Sequence, residues 1–312
     1  MDVYVTRPIP DEHLARIREI ADVDVWDGDS PVPRAVLLEK VAGIDGLFSM
    51  LTDRIDDDLL DAARRLRVVS QMSVGVDNVD VEACRERGVR IGHTPDVLTG
   101  TVADHAFALV LAVARRLSEG ADEVRSGGWG TWDPWHLLGV DVHDTTLGIV
   151  GMGRVGRAVA DRAIGFGMEV LYASPRASGH VGQHVGFDEL LRSSDHVVLT
   201  VPLNEETRGM FDAQAFRQMK PTATLVNVAR GPIVDPAALV DALETGEIFG
   251  AGLDVTDPEP IPPDHPLVAL PNCLVVPHIA SASTRTRHRM AERTVDNLVA
   301  ALTGAEMPSE LV

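Results

Sequence analysis

Residues 146–156 read Thr-Leu-Gly-Ile-Val-Gly-Met-Gly-Arg-Val-Gly, and this stretch decides the fold. A short apolar run typical of a β-strand leads into the pattern Gly151-x-Gly153-x-x-Gly156, and a helical pattern follows. The first glycine permits a tight turn, the second lets the backbone approach a pyrophosphate, and the third lets helix and strand pack closely. Because a second strand-like run at 168–173 closes a βαβ unit, the stretch predicts a dinucleotide-binding site at the N-terminus of the helix.

The overall composition is that of a folded protein larger than one domain. With 312 residues, of which 45% are hydrophobic, the chain is predicted to form two domains. It has neither an apolar run long enough to span a membrane nor a basic, apolar leader, so we expect a cytoplasmic protein without a membrane partner. The formal net charge of −19 disfavours nucleic acid as a partner.

Metal or disulfide chemistry is not indicated by the cysteines. The chain has two, Cys84 and Cys273, which are too few for a disulfide framework or a cysteine-based metal cluster. We find no cluster of metal ligands in the sequence and predict that the reaction needs no metal.

Strand-like and helix-like patterns alternate along the chain, which predicts parallel sheets with helices on both faces. The helical pattern at 99–118 is apolar nearly all round, so we expect it to be buried between domains or at a subunit interface. The segment 127–138 holds three of the four tryptophans and has no clean period, which suggests an extended arm. Expected strands are 3–6, 23–26, 46–50, 66–71, 146–150, 168–173, 196–201, 224–229, 249–254 and 273–277. Expected helices are 10–20, 34–41, 56–66, 79–87, 99–118, 154–165, 187–193, 212–219, 235–244 and 283–302.

These patterns predict an α/β fold of two doubly wound, parallel-sheet domains. The last helix is long enough to return to the first domain, so residues 1–98 plus 285–312 are expected to form one domain. Residues 99–284 are expected to form the dinucleotide-binding Rossmann domain.

Three charged residues follow strands of the second domain. Arg230 follows the run Thr-Leu-Val-Asn-Val-Ala, Glu259 lies in Asp-Pro-Glu-Pro, and His278 ends Leu-Val-Val-Pro-His. Ligands of open α/β sheets bind beyond the carboxyl ends of the strands. Reduction of a carbonyl needs a proton donor such as histidine, a carboxylate can orient that histidine, and an arginine can grip a substrate carboxylate. The same residues could also be ordinary surface or core residues, and spacing alone does not choose between these readings.

The joint pattern resembles the D-2-hydroxyacid dehydrogenase family over essentially the whole chain. VGMGRVG, GLDVTDPEP and VVPHIAS occur in the family's order and spacing. SVGVDNVD, HTPDVLTGTVAD and SGGWGTWDPW are most similar to the glyoxylate/hydroxypyruvate reductases within it. The resemblance implies a flavodoxin-like substrate domain beside the Rossmann domain. It also implies that His278 is the acid/base, that Glu259 is its hydrogen-bonding partner, and that Arg230 holds the substrate carboxylate and polarises the carbonyl.

Further site residues are implied by the same resemblance. The backbone N–H groups of Val74 and Gly75 would bind the substrate carboxylate, Leu51 would form a wall of the pocket, and Trp132 would reach into the site of a partner subunit. Asp254 would accept a hydrogen bond from the nicotinamide carboxamide, although it could instead be a helix cap. The other residues expected to contact the cofactor, besides His278, are Gly151, Gly153, Arg154, Val155, Gly156, Ser174, Arg176, Val201, Pro202, Thr207, Val228, Ala280 and Thr101.

The choice between the two nicotinamide dinucleotides can be argued from charge. An acidic residue normally ends the second strand and binds the ribose 2′-hydroxyl, but Ser174 occupies that place and Arg176 follows. The absence of the anion and the presence of a cation suit a 2′-phosphate. We therefore expect NADPH to be preferred, with NADH possible.

The resemblance implies a reductase that transfers a hydride to C2 of a small 2-keto acid. It also implies a homodimer, for which residues 99–140 supply a dimerisation helix and arm. Glyoxylate, giving glycolate, and hydroxypyruvate, giving D-glycerate, are the expected substrates. Other D-2-hydroxy acids, such as 3-phosphoglycerate or D-lactate, are alternatives, and Arg54 is the one extra cation that a phosphorylated substrate would find in the first domain. A non-catalytic NAD(H)-sensing protein is a further alternative. Ala280 departs from the glycine often found after His-Ile in the family.

Overall fold

The computed structural model describes all 312 residues. The strands are β1 (Asp2–Val5), β2 (Asp22–Val25), β3 (Gly46–Ser49), β4 (Val68–Gln71), β5 (Arg90–Gly92), β6 (Thr146–Val150), β7 (Glu169–Ala173), β8 (Gln183–His184), β9 (His196–Leu199), β10 (Thr224–Asn227), β11 (Gly250–Leu253) and β12 (Cys273–Val275). The helices are α1 (Asp11–Arg18), α2 (Arg34–Val41), α3 (Asp57–Ala62), α4 (Val81–Glu86), α5 (Thr99–Ala114), α6 (Leu117–Ser126), α7 (Arg154–Ile164), α8 (Phe187–Ser193), α9 (Ala213–Gln218), α10 (Pro236–Thr245), α11 (Pro266–Ala269) and α12 (Thr284–Thr303).

The chain divides into two compact units. Unit 1 comprises Met1–Leu98 and Ser283–Val312, and unit 2 comprises Thr99–Ala282. The expected border after residue 284 lies two residues beyond the observed one after Ala282. None of the helices combines the length and apolar character that crossing a membrane requires.

Unit 1 is built on a five-stranded parallel sheet in the order β2-β1-β3-β4-β5. This is the flavodoxin-like order, as expected from the sequence. The last helix, α12, belongs to this unit and covers one face of the sheet, where Val295 and Leu298 pack with Val3, Phe48 and Val68 in one buried cluster. The chain therefore returns to its first unit at its end, and both termini of the chain lie in the same unit.

Unit 2 is built on a seven-stranded parallel sheet in the order β12-β11-β10-β9-β6-β7-β8. The strand order reverses beside β6, the strand that precedes the glycine-rich turn, as in the doubly wound dinucleotide-binding fold. The predicted α/β class with two parallel sheets is confirmed.

The glycine-rich turn needs glycine at two places for different reasons. Gly151 has a backbone φ of +99°, a conformation that residues other than glycine rarely adopt. A Cβ on Gly156 would lie 2.1 Å from the carbonyl oxygen of Gly151, so only glycine lets α7 start this close to the end of β6. The turn therefore has the conformation that the sequence pattern predicts.

The predicted helix 99–118 is wrong at its C-terminal end. The carbonyl of Ala114 accepts a hydrogen bond from the N–H of Val140 at 2.9 Å, which takes the acceptor that residue 118 would use in a continuous helix. Arg116 then adopts a left-handed conformation (φ +52°), and α6 begins as a separate helix. The apolar faces of α5 are buried within unit 2, where Ala103, Phe107 and Val110 join the core beside β6 and α7.

Several short or irregular elements also differ from the expectation. The strands β5 and β8 and the helices α6 and α11 were not predicted, because each is short or, for α6, has no buried face. The strands β9, β10 and β11 end at Leu199, Asn227 and Leu253, before their predicted ends. The residues beyond these ends leave the sheet and form the loops of the candidate site.

A buried histidine in the centre of unit 2 makes a pH-dependent contribution to stability. His196 of β9 is fully buried, with Nδ1 2.8 Å from Thr224 Oγ1 and Nε2 3.0 Å from the carbonyl oxygen of Asp141. Burial lowers the pKa of His196, although the bond to the Asp141 carbonyl opposes this.

Because the folded state resists protonation of His196, its contribution to stability is complete above the ordinary histidine pKa of about 6.5 and is lost as the pH falls below that value. We predict that the free energy of unfolding, measured by urea titration, falls less in His196→Gln than in the unchanged protein when the pH is lowered from about 7.5 to about 5.5. An equal loss in both proteins would contradict this assignment.

Candidate active site

The candidate catalytic residues follow three neighbouring strands at one edge of the unit 2 sheet. β10, β11 and β12 lie side by side, with Asn227 opposite Leu253 and Leu253 opposite Val275. Arg230 comes three residues after β10, Asp254 directly after β11, and His278 three residues after β12. The carboxyl ends of parallel strands meet at one edge, so the loops that carry these side chains emerge together.

Glu259 and His278 form a direct pair. Their side chains meet at 2.6 Å between His278 Nδ1 and Glu259 Oε1, and both side chains are partly exposed (28% and 35%). A carboxylate on Nδ1 fixes the imidazole plane and leaves Nε2 as the nitrogen that can exchange a proton with a ligand. The structure thus brings together two of the three residues that the sequence singled out as catalytic.

The backbone of His278 adopts an uncommon conformation. Its φ is +52°, in the left-handed region that residues other than glycine seldom occupy. The His278 N–H donates to the carbonyl oxygen of Asp254 at 2.9 Å, which ties the loop after β12 to the end of β11. Such conformations persist only where the surroundings impose them, and they cluster at functional sites.

Asp254 imposes that conformation. Its carboxylate, 1% exposed, accepts the N–H of Ile279 at 2.7 Å and of Ala280 at 3.0 Å. Burial raises the pKa of Asp254, but His105 Nε2 at 3.2 Å and the two amides outweigh burial, so the pKa lies below its usual value. Asp254 is therefore held as an anion whose bonds fix the two residues after His278.

The loop that carries Arg230 packs tightly against the loop that carries Glu259. A Cβ on Gly231 would lie 1.9 Å from the carbonyl oxygen of Thr256, so Gly231 lets the two loops touch. The carbonyl of Arg230 accepts a hydrogen bond from Asn227 Nδ2 at 2.9 Å, and Arg230 Nη1 donates to the carbonyl of Ala229 at 2.8 Å. These contacts hold the half-buried Arg230 beside the Glu259 loop.

The glycine-rich turn fits a dinucleotide. Gly153 is the N-cap residue of α7 and makes no side-chain cap, so no capping side chain competes with a phosphate at the N-terminus of the helix. A Cβ on Gly153 would meet nothing within 4 Å, which leaves room for a ligand against the backbone. Thr200 Oγ1 donates to the carbonyl of Gly151 at 2.5 Å and holds the turn against the end of β9.

The other predicted cofactor contacts lie on loops around this turn or on the helices beside it. Thr207 closes the loop after β9 by donating from Oγ1 to the carbonyl of Pro202 at 2.7 Å. Ser174 follows the end of β7, and its hydroxyl donates to the carbonyl of the exposed Arg176. Val155 and Arg154 lie in the first turn of α7, Thr101 in the first turn of α5, Val201 after β9, Val228 after β10, and Ala280 among the residues held by Asp254.

The predicted substrate contacts of unit 1 follow two neighbouring strands. Leu51 comes after β3 and Val74 and Gly75 after β4, and the two strands pair directly. The side chains of Leu51 and Val74 are exposed (41% and 38%). The backbone N–H groups of Val74 and Gly75 donate to no acceptor of the chain.

An amide pair that the sequence did not reveal, formed by the buried Gln71 and the partly buried Asn78, holds these two loops. Gln71 Nε2 donates to the carbonyl of Gly75 at 2.9 Å and to Asn78 Oδ1 at 2.9 Å. Asn78 Nδ2 donates in return to Gln71 Oε1 at 3.0 Å, and it also bonds the carbonyl of Asp53 at 2.5 Å. A polar residue at the end of a strand, followed by Asn after seven positions, is the only sequence signal, and it is too common to be informative.

Trp132 lies in the segment between α6 and β6. Its side chain is 78% exposed, and Trp135 is equally exposed, while Trp129 is 61% exposed. Unit 2 alone therefore does not bury Trp132.

Comparison with known proteins agrees with this geometry. Residues 107–280 match the family described as D-isomer specific 2-hydroxyacid dehydrogenase, NAD binding domain. The chain belongs to this family. It is 48% identical to a glyoxylate reductase of Korarchaeum cryptofilum, over 99% of this chain and 95% of the relative. It is 44% identical to a human glyoxylate reductase/hydroxypyruvate reductase, over 100% of this chain and 98% of the relative.

Solved structures extend the similarity to the whole 2-hydroxyacid dehydrogenase fold. A protein of Thermus thermophilus has a TM-score of 0.96 at 50% identity, with all of both chains covered. The NADPH-dependent glyoxylate/hydroxypyruvate reductase of Sinorhizobium meliloti, crystallised with NADP and malonate, has a TM-score of 0.89 at 32% identity, covering 100% of this chain and 96% of its own. The family places a nicotinamide cofactor on unit 2 and makes a keto acid the class of substrate.

The amide pair in unit 1 yields a prediction for this dehydrogenase. Gln71→Met removes the donated hydrogen bonds while keeping the length of the side chain, so we expect stability to fall by about 1–3 kcal/mol and the KM for the 2-keto acid to rise. The Kd for the dinucleotide should stay unchanged, because the pair lies in unit 1.

Gln214→Met, at an exposed position of α9, is the matched control. Steady-state kinetics and fluorescence titration measure the two constants. A destabilised Gln71→Met protein with an unchanged KM would show that the pair serves stability alone.

Proposed function

We propose that the protein reduces glyoxylate to glycolate and hydroxypyruvate to D-glycerate. The observation that carries this proposal is the 2.6 Å bond between His278 Nδ1 and Glu259 Oε1 at the edge of the sheet from which Arg230 also emerges. The names of the relatives, glyoxylate reductase and glyoxylate reductase/hydroxypyruvate reductase, support the substrate class.

His278 is the proton donor in this proposal. A bound reduced nicotinamide supplies a hydride to C2 of the keto acid. His278 Nε2–H donates a proton to the C2 oxygen, while Nδ1 remains bonded to Glu259. Glu259 therefore orients the acid without touching the substrate.

Arg230 holds the carboxylate of the keto acid and polarises its carbonyl. A guanidinium matches a carboxylate with two parallel hydrogen bonds, and it draws charge toward the C2 oxygen as that oxygen becomes an alkoxide. The free N–H groups of Val74 and Gly75 support their predicted role as further donors to the carboxylate. Leu51 remains the proposed wall of the pocket.

In this proposal Asp254 accepts a hydrogen bond from the nicotinamide carboxamide and also holds the loop after His278 through its bonds to the amides of that loop. A carboxylate offers about four acceptor sites. The amides of Ile279 and Ala280 occupy two of them, and His105 lies 3.2 Å from Oδ1. One acceptor position therefore remains for the cofactor, and the helix-cap alternative is not what the structure shows, because Asp254 precedes no helix.

The alternative substrates find less support. A phosphorylated keto acid would need a free cation in unit 1, but Arg54 Nε lies 2.8 Å from Asp56 Oδ2. The names of the relatives, which are reductases, favour a catalyst over a cofactor sensor without activity.

The activity assay tests the proposal directly. We predict that the protein oxidises NADPH when glyoxylate or hydroxypyruvate is added, and that His278→Gln lowers kcat/KM by about 10²–10⁴. His180→Gln is the matched control, because His180 forms a comparable pair with Asp161 (2.8 Å) in the same unit. Absence of turnover with both keto acids, or full activity of His278→Gln, would contradict the proposal.

The preference for NADPH is also part of the proposal. No carboxylate ends β7, where Ser174 stands, and the exposed Arg176 follows two residues later. A guanidinium at this place can pair with a 2′-phosphate, whereas an aspartate would repel it. The Sinorhizobium meliloti neighbour is itself NADPH-dependent.

We predict that Arg176→Ala lowers kcat/KM for NADPH by at least about tenfold and leaves the value for NADH nearly unchanged. Ser174→Asp should reverse the preference. Arg217→Ala, at an exposed position of α9, controls for loss of surface charge. Comparable kcat/KM values for NADPH and NADH in the unchanged protein would exclude the preference.

A homodimer is proposed from the exposed apolar segment of unit 2. α6 buries none of its residues, its Leu117 and Val124 are each 58% exposed, and Trp132 and Trp135 are 78% exposed. An apolar surface of this kind marks a protein–protein contact. A second copy of the chain would cover this surface and receive Trp132 at its own substrate site.

A cytoplasmic location remains a prediction from the sequence.

We predict that Trp132→Ala raises the KM for hydroxypyruvate, whereas Trp135→Ala, which is equally exposed, leaves it unchanged. Analytical ultracentrifugation should show a dimer for both variants. An unchanged KM in Trp132→Ala would exclude the role across subunits, and a monomeric unchanged protein would exclude the dimer.

A further inference from the structure

Three side chains with metal-binding atoms converge in unit 1, outside the candidate active site. Glu12 and His13 lie in α1, and His288 lies in α12. His288 Nδ1 is 2.9 Å from Glu12 Oε1 and 3.3 Å from His13 Nε2, and the remaining distance, between His13 Nε2 and Glu12 Oε1, is 3.7 Å. His288 lies 275 residues after His13, so sequence spacing gives no sign of this cluster.

The triangle of ligand atoms has the size that a tetrahedral metal ion requires. Zinc–nitrogen and zinc–oxygen bonds of about 2.0–2.1 Å place neighbouring ligand atoms of a tetrahedron about 3.3 Å apart. Of the three observed distances, 3.3 Å equals this value, and 2.9 and 3.7 Å lie on either side of it. A point about 2.0 Å from all three atoms lies slightly off their plane, which is where a four-coordinate ion sits.

The cluster is held in place by its surroundings. His13 is buried, with 7% of its surface exposed, and α1 packs against α12. One turn beyond His13 in α1 and two turns beyond His288 in α12, Arg16 Nη2 lies 2.6 Å from Asp296 Oδ1. The ligand atoms therefore come from two helices whose spacing is fixed without an ion. Such preorganisation lowers the cost of binding.

The fourth position of the tetrahedron is open. The side chains of Glu12 and His288 reach solvent (67% and 43% exposed), and His288 borders a pocket of about 320 Å³ with Met50, Met72 and Arg287. Water or a small ligand can enter there. Two neutral imidazoles and one carboxylate form a donor set that suits Zn²⁺.

We propose that Glu12, His13 and His288 bind one Zn²⁺ ion per chain. The ion fastens α1 to the first two turns of α12, directly after the chain returns to unit 1 at Ser283. It takes no part in the proposed reduction, whose residues lie elsewhere. Without metal, the same atoms form only a hydrogen-bonded cluster.

Calorimetric titration of tag-free, chelator-treated full-length protein with ZnCl₂ tests the site. We expect one ion per chain, a Tm that rises with zinc concentration, and, with Co²⁺ as the probe, the intense visible absorption of a four-coordinate ion. Glu12→Gln and His288→Asn should each weaken zinc binding by more than about tenfold. Both positions reach solvent, so the variants are expected to fold, which circular dichroism checks.

His180→Asn is the control, because His180 has one carboxylate partner, Asp161, and no third ligand. This variant should bind zinc as the unchanged protein does. The proposal is overturned if the unchanged protein binds no zinc at micromolar concentration. It is also overturned if Glu12→Gln and His288→Asn bind as tightly as the control, or if Co²⁺ gives only the weak spectrum of a six-coordinate ion.

Discussion

The buried carboxylate of Asp254 is the constraint on which the candidate active site depends. The carboxylate accepts hydrogen bonds from the N–H groups of Ile279 and Ala280, and the backbone carbonyl of Asp254 accepts one from the N–H of His278. Together these bonds hold His278 in a left-handed conformation that the isolated residue would avoid. The imidazole then meets Glu259 through Nδ1, and Nε2 is the ring nitrogen that this contact leaves unused.

The topology of the unit 2 sheet brings together the loops that Asp254 connects. In a parallel sheet every strand ends at the same edge, so residues far apart in sequence meet there without a dedicated scaffold. Gly231 brings the Arg230 loop into contact with the Glu259 loop, and His105 of α5 approaches Asp254 from the helix side. The candidate site is thus assembled from four segments of unit 2 by side-chain and backbone contacts, and the side chains of Glu259 and His278 are left partly exposed.

Much of the fold could be predicted because its signals are local. The apolar run before Gly151 and the glycine spacing identify β6, the turn and α7 from adjacent residues, and the motif around His278 identifies the family. The break after Ala114 could not be predicted, because it depends on a hydrogen bond from Val140, and 99–118 alone has the pattern of one helix.

The same distinction applies to the candidate site. Glu259 and His278 were found as a pair because each lies in a distinctive motif, and the structure joins them. His105 and the Gln71–Asn78 pair were missed, since their partners are set by tertiary contact and their residue types are common in loops and helices. The Asp254 bonds to the backbone of the next loop were missed for the same reason, and the catalytic roles themselves stay predictions.

A double-mutant cycle on Glu259 and His278 measures their interaction most directly. If Glu259 acts only through His278, Glu259→Gln should lower kcat in the presence of His278 and have almost no effect in the His278→Gln background. The expected coupling is at least about 1.5 kcal/mol in the activation free energy. Additive losses in the double variant would show that the two residues act independently and would contradict the account.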